Sequence, residues 1–230
     1  RDYSGKVPVM QAVRRAEQQL FERDLSKSYL SPLGNTAYCE DIEKLTLGVD
    51  HPILREGRIV SAQTPGAGSA LRAGAELVNS LNPDSELWAS QPIWGHQLEF
   101  FDKVGIKINH YRYYDQLNSV LDFDGMLEDL KGMRPNDIFL VHGCCHNPTG
   151  QDLNLQQWQE LANIVNQTGA LPFVDIAYQG FGEGIEEDVA GPRLFAENVP
   201  QMLLTVSSSK SFGIYRERAG ILSVIVASDD

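Results

Sequence analysis

Short apolar runs alternate with amphipathic stretches along most of this chain, from about residue 66 onward. Short apolar runs between turn signals are typical of strands, and longer stretches with apolar residues three and four apart are typical of helices. We predict helices at 70–81, 94–104, 123–131 and 154–167, and strands at 87–90, 106–113, 138–141, 171–176, 202–206 and 221–227. Alternating strands and helices form a mostly parallel sheet with helices on both faces. The sequence therefore predicts an α/β protein with three layers, α/β/α.

The last predicted strand is expected to run against the others. A parallel neighbour requires a crossover of about a dozen residues or more, usually a helix. The segment between Val206 and Ile221 barely reaches that length and shows no clear helical pattern. We therefore expect strand 221–227 to be antiparallel. At the other end of the chain, the spacing of apolar residues predicts a helix over 8–25.

The net charge and the number of cysteines limit which binding partners and which cellular compartment are expected. The 230 residues carry 19 Lys and Arg against 31 Asp and Glu, which gives a net charge of −12. So acidic a chain argues against nucleic acid or an anionic membrane as its main partner.

No apolar run reaches the ~18 residues of a membrane span, and three cysteines are too few for a disulfide framework. We expect a cytoplasmic protein, and the ends of the chain, which lack an initiator Met and stop after an apolar run, suggest a piece of a longer one.

Polar residues follow four of the predicted strands, at 90–92, 142–150, 175–180 and 207–210. In sheets of this kind a ligand binds beyond the carboxyl ends of the strands. The run Ser207-Ser208-Ser209-Lys210 offers hydroxyls and an ammonium, with Arg218 close behind, and these groups suit a phosphate. Lys210 could also act as a nucleophile, because a desolvated lysine loses its proton readily. The alternative is an ordinary exposed polar loop.

Three further features offer chemistry, each with a plainer alternative. Asp175 ends an apolar run, so its carboxylate could pair with a buried cation such as a protonated ring nitrogen, or it could cap a turn. The segment 66–69 opens a predicted helix, where backbone N–H groups favour an anion, although it lacks the full dinucleotide-binding pattern. Trp94 could stack on a planar ring or simply pack in the core. The cysteines and histidines of 142–146 lack the spacing of a zinc site, so we predict no metal.

Taken in order, the motifs resemble those of one family. They are TPGAGSALR, QPIWG, HGCCHNPTG, VDIAYQGF and SSSKSFGIYRERAG. Together they are similar to the fold-type I pyridoxal-phosphate-dependent aminotransferases, and within these to the aspartate and aromatic-amino-acid aminotransferases. The resemblance runs over nearly the whole chain. It implies that residues 1–25 come from the small domain or its junction, and that residues 26–230 belong to the large domain that binds the cofactor.

The resemblance also implies roles for individual residues. Lys210 would bind pyridoxal 5′-phosphate covalently and then move a proton between substrate and cofactor. Asp175 would keep the ring nitrogen protonated, Asn147 and Tyr178 would hydrogen-bond the phenolic oxygen, and Trp94 would stack on the ring. The remaining cofactor-binding residues, most of them around the phosphate, would be Gly66, Ala67, Gly68, Ser69, Ser207, Ser209 and Arg218.

The implied reaction is transfer of the amino group of aspartate or an aromatic amino acid to a 2-oxo acid, such as 2-oxoglutarate, by a ping-pong mechanism. Tyr29, in the motif KSYL, would reach the phosphate in a neighbouring subunit, which implies a homodimer with shared sites. Alternatives are another reaction on the same scaffold, such as a lyase, or a module without catalytic activity, either regulatory or an inactive fragment. A nicotinamide-binding domain fits the alternation but not the glycine pattern.

Two positions depart from the family pattern. Members usually have a hydroxyl residue where this chain has Gly68, and here the hydroxyl comes one residue later, at Ser69. Members often have a histidine three residues after the tryptophan, where this chain has Gln97. The arginines that bind substrate carboxylates in the family would lie beyond residue 230.

Overall fold

The computed structural model describes residues 3–23 and 25–227. Its strands are β1 (Ile59–Thr64), β2 (Leu87–Gln91), β3 (Ile108–Arg112), β4 (Tyr114–Asp115), β5 (Val120–Leu121), β6 (Ile138–His142), β7 (Leu171–Ile176), β8 (Met202–Ser207) and β9 (Gly220–Ile225). Its helices are α1 (Gln11–Glu22), α2 (Thr36–Leu47), α3 (Pro52–Arg55), α4 (Ala67–Leu81), α5 (Gly95–Asp102), α6 (Phe123–Leu130), α7 (Leu155–Thr168), α8 (Ala190–Asn198) and α9 (Ser208–Ser211). A single 3₁₀ turn, Glu187–Val189, precedes α8.

Seven of these strands form one sheet in the order β1-β9-β8-β7-β6-β2-β3, while β4 and β5 pair separately. The five strands from β8 to β3 in this order pair in parallel. Strand β9 is antiparallel to both of its neighbours, β8 and β1. The predicted antiparallel strand is therefore confirmed. The reason is the one expected, because the connection from β8 contains only the four-residue helix α9, too short for a crossover.

Helices cover both faces of the sheet, which confirms the three-layer α/β/α architecture. On one face, buried residues of α2, α6, α7 and α8 pack against Phe139 and Val141 of β6. On the other face, α4 and α5 pack against Ile138 and Leu140 of the same strand. Successive residues of β6 thus point to opposite faces and all four are buried, as a central parallel strand requires.

Several element boundaries differ from those predicted. Helix α1 is shorter than the predicted 8–25, and β3 is shorter than the predicted 106–113. Helices α2 and α8 and strand β1 were not predicted. The division into 1–25 and 26–230 stays a prediction. Within residues 3–23 and 25–227, no helix is both long enough and apolar enough to cross a bilayer.

Candidate functional site

A cavity of about 250 Å³ lies at the carboxyl ends of β6, β7 and β8. This is the edge at which the sequence placed the polar segments, and parallel pairing brings those segments together. The predicted site residues that line the cavity are Ala67, Gly68, Trp94, Asn147, Asp175, Tyr178, Ser207, Ser209, Lys210 and Arg218. The structure therefore gathers most of the predicted site around one space.

Register within the sheet fixes the position of Asp175. Residue 175 pairs with His142 on β6 and with Thr205 on β8. The Asp175 carboxylate is buried, with 4% of the residue exposed. Its Oδ1 accepts from Thr205 Oγ1 at 2.8 Å, and its Oδ2 accepts from Gln97 Nε2. Burial raises the pKa of this carboxyl, while Thr205, Lys210 and Gln97 partly oppose the rise.

Lys210 lies on α9, directly after β8. Its ammonium sits 3.9 Å from the centroid of the Tyr178 ring, a cation–π contact. Lys210 is half-buried, and the three serines before it are buried. Ser207 Oγ caps this turn by accepting from Ser209 N–H at 3.3 Å. The segment is thus not an ordinary exposed loop, because its hydroxyls and its amine face or adjoin the cavity.

An anion cradle closes one end of the cavity. Gly66 caps the N-terminus of α4 with a φ of +82°, a conformation that favours glycine. A Cβ atom at Gly66 would lie 2.5 Å from Arg218 Nη2, so the guanidinium rests directly on the start of the helix. Arg218 Nη1 also donates to Ser209 Oγ at 3.1 Å and to the Tyr215 carbonyl at 3.1 Å. Helix N–H groups, hydroxyls and a guanidinium together are the donors that a phosphate requires.

Two predicted residues lie elsewhere. Ser69 is exposed and does not line the cavity, because it lies on the outer side of the first turn of α4 and donates to the Pro65 carbonyl at 3.4 Å. Ser69 therefore does not reach this cavity, and its assignment to the cofactor site stays a prediction. A Cβ at Gly68 would lie 2.9 Å from the Phe100 ring, so Phe100 fills the space that a hydroxyl side chain would need. Tyr29 is fully exposed and does not line this cavity.

The structure adds residues that sequence reasoning did not assign to the site. Gln97, His142, Cys144, Cys145 and Tyr215 also line the cavity. For His142 the available signal was its place at the end of a strand, and for Gln97 its spacing from Trp94. His142 Nε2 lies 2.7 Å from Gln97 Oε1. Burial, and secondarily the positive charge of Lys210, lower the pKa of His142 to about 4.

Cys144, Cys145 and Asp188 bring possible metal ligands within 4.8 Å of one another. The Asp188 carboxylate, however, already accepts four backbone N–H groups, those of Gly180, Gly182, Glu183 and Gly184. Burial raises the pKa of both thiols, which keeps them protonated. The carboxylate thus closes the loop after β7, and the grouping is explained without an ion.

Comparison with known proteins places the chain in a family. The model of the family described as aminotransferase class I and II matches residues 1–228. An aromatic-amino-acid aminotransferase of Paracoccus denitrificans is 42% identical over 99% of this chain and 57% of its own length. An aspartate aminotransferase of Pseudomonas aeruginosa is 40% identical over 98% of this chain and 57% of its own length.

A solved structure agrees with these relatives. An aromatic-amino-acid aminotransferase of Burkholderia pseudomallei, covalently bound to pyridoxal phosphate, superimposes with a TM-score of 0.96 and 44% identity over 100% of this chain and 58% of that one. The chain thus spans 57–58% of the length of these relatives. The family resemblance of the motifs is confirmed, and the chain belongs to the class I and II aminotransferases.

Proposed function

We propose that this chain is the cofactor-binding part of a pyridoxal-phosphate-dependent aminotransferase. The substrates would be aspartate or an aromatic amino acid and a 2-oxo acid such as 2-oxoglutarate, in a ping-pong reaction. The observation that carries the proposal is the single cavity that joins an amine, a buried carboxylate and an anion cradle, in Lys210, Asp175 and Arg218.

The residues present fit pyridoxal phosphate at both of its ends. The cradle of Gly66 and Arg218, which one added Cβ would fill, suits the phosphate. At the other end, Asp175 accepts only neutral hydrogen bonds from Thr205 and Gln97. A buried carboxylate is costly without a cationic partner, so the protonated nitrogen of a pyridine ring would complete this site.

When bound, pyridoxal phosphate supplies the electron sink that weakens the bonds at the α-carbon of an amino acid. Lys210 would hold it and carry the proton as the base, because its amine lines the cavity beside Tyr178. Asp175 would fix the charge of the ring nitrogen. Asn147 and Tyr178 would donate to the phenolic oxygen, and Trp94, 42% exposed at the rim, would cover the ring from water.

Catalysis is favoured over a module without activity because the demanding residues of the cofactor site, Lys210 and Asp175, line one cavity. A regulatory or inactive chain has no need of a buried Asp175 beside Lys210, since that burial is unfavourable on its own. The relatives include both aspartate and aromatic-amino-acid aminotransferases at similar identity. The proposal therefore covers both substrate classes.

The test uses the full-length protein that contains this chain. Sodium borohydride should fix the cofactor irreversibly, and peptide mapping should find the tag on Lys210. The Lys210→Ala protein, as control, should carry no tag and should lack the visible band of the covalently held cofactor. Steady-state kinetics with aspartate, tyrosine and phenylalanine should give the parallel double-reciprocal lines of a ping-pong reaction. A tag on another lysine, or an untagged protein, would contradict the proposal.

We also propose a cytoplasmic homodimer. Tyr29 is fully exposed in the single chain, as a residue destined for a neighbouring site would be. The three cysteines are unpaired, which suits a reducing compartment.

A further inference from the structure

A series of hydrogen bonds connects Asn147, His142, Gln97 and Asp175, all of which line the cavity. The backbone N–H of Asn147 points at His142 Nδ1 at 3.4 Å, and His142 Nε2 faces Gln97 Oε1 at 2.7 Å. Gln97 Nε2 then donates to Asp175 Oδ2. Only 1% of Gln97 is exposed, so water does not compete for its amide.

The first hydrogen bond, from the Asn147 backbone to His142, decides which atom donates and which accepts in each of the others. A backbone N–H can only donate, so His142 Nδ1 must be an acceptor without a proton. The neutral imidazole then carries its proton on Nε2 and donates it to Gln97 Oε1. Gln97 is left with its NH₂ group toward Asp175, which matches an ionised carboxylate. A flipped amide would set a donor against the Nε2–H of His142 and an oxygen against Asp175.

We propose that Gln97 is a positioning residue, which transmits this fixed direction from the Asn147 backbone through His142 to Asp175 and thereby holds the carboxylate ionised and aimed at the cavity. The inference rests on the proposed function, in which that carboxylate faces the ring nitrogen of the cofactor. An amide neither gains nor loses a proton in the accessible pH range. With glutamine at position 97, the support of Asp175 therefore does not change with pH as long as His142 stays neutral.

The surroundings of His142 keep it neutral. Lys210 lies close enough to disfavour a second positive charge, and the His146 ring lies 4.7 Å away, between centroids. The other titratable groups that line the same cavity are Asp175, Tyr178, Cys144, Cys145, Tyr215 and Arg218. Of these, Asp175 is the register partner of His142 across β6 and β7, and the neutral Gln97 hydrogen-bonds both side chains. The low pKa of His142, about 4, agrees with this arrangement.

The first test needs no cofactor. In the cofactor-free full-length protein with ¹⁵N-labelled histidine, NMR should show His142 neutral, with its proton on Nε2, from pH 5.5 to 9. Gln97→Glu should raise the pKa of His142 by at least about two units, because a buried carboxylate stabilises the imidazolium. The matched control Gln201→Glu, the same change at an exposed position, should leave the His142 signals unchanged.

The second variant covers the possibility that Gln97→Glu does not fold. Gln97→Leu removes the acceptor, so the slowly exchanging Nε2–H signal of His142 should disappear. In the cofactor-loaded protein the imine at Lys210 titrates by itself, and Gln97→His should add a second titration between pH 5 and 8 to the visible spectrum. The inference is overturned if wild-type His142 carries its proton on Nδ1, or if Gln97→Glu and Gln97→Leu both leave it unchanged. Failure to bind cofactor would instead count against the proposed function, since the NMR result does not depend on it.

Discussion

Single residues at the start of α4 decide how the anion cradle is built. Gly66 leaves room for the Arg218 guanidinium, and Gly68 leaves room for the Phe100 ring. The hydroxyl that the sequence offers at Ser69 turns outward to the Pro65 carbonyl. The cradle therefore takes its side-chain donors from outside α4, from Ser207, Ser209 and Arg218.

This difference predicts unequal effects of two small substitutions. Ser69→Ala should leave the Kd for pyridoxal phosphate within about twofold of wild type, because its hydroxyl does not reach the cavity. Ser209→Ala should weaken binding by roughly 3–10-fold, the range expected for one lost hydrogen bond. Fluorescence titration of the cofactor-free protein would measure both. Equal weakening by the two variants would show that Ser69 does contribute.

The positions of single site residues could be predicted from the sequence. The contacts between elements that support these residues could not. Lys210 and Asp175 each follow an apolar run, and the strand-end rule placed them correctly. The bond between Gln97 and His142 joins α5 to β6. The sequence does not predict which helix packs over which strand. The contact between Gln97 and Asp175 is therefore seen only in the three-dimensional structure.

Helix α4 can approach the sheet closely because residue 74 is a glycine, which has no side chain. A Cβ at Gly74 would lie 2.5 Å from the Phe173 ring on β7. Gly74→Ala should therefore lower the free energy of unfolding by about 1–3 kcal/mol, through overpacking, measured by urea denaturation. Gly95→Ala is the matched control, since a Cβ there meets nothing within 4 Å. In the double variant with Phe173→Leu, part of the loss should return, because the two sites are coupled. An unchanged free energy of unfolding in Gly74→Ala would contradict this explanation of the packing.

Element prediction succeeded where local pattern and burial agree. Strands β6, β7 and β8 are mostly apolar runs with nearly every residue buried. Strand β1 reads IVSAQT, in which Ser61 is buried and its Oγ lies 2.6 Å from Ser223 Oγ of β9. Helix α8 begins with Gly191 and Pro192 in its first turn, which weakens its helical signal. These elements depend on tertiary partners, so their sequences alone do not reveal them.

Stability of the whole molecule should fall in mild acid. The pKa of His142 is about 4 and that of His146 about 3, both lowered mainly by burial, against about 6.5 in the unfolded chain. As pH falls below about 7 the unfolded state therefore takes up protons first. His142 alone should cost about 2 kcal/mol of stability at pH 5. Asp175, whose pKa is raised, acts in the opposite sense.

Urea unfolding of the cofactor-free protein at pH 7.5 and pH 5 would measure this loss. His142→Asn should reduce the difference between the two pH values, and the exposed His110→Asn should not. An unchanged difference in the His142→Asn protein would show that this histidine is not held neutral by the fold.

The proposed dimer makes a prediction about mixed subunits. Tyr29→Phe should weaken cofactor binding although Tyr29 lies outside the cavity of its own chain. Mixing this protein with Lys210→Ala, under conditions that exchange subunits, should create one site that has both Tyr29 and Lys210. Activity of the mixture at low cofactor concentration should then exceed that of either parent. An inactive mixture, with subunit exchange verified by mass, would rule out the shared site.

The place of β9 between β8 and β1 has a consequence for synthesis on the ribosome. β1 joins the sheet only through β9, and β9 emerges only after everything from Thr64 to Gly220 has been translated. Until then the nascent chain presents one side of β8 and the whole of β1 as open edges, which readily pair with other chains. A pause in translation before residue 220 would therefore leave this protein at its most dependent on chaperones.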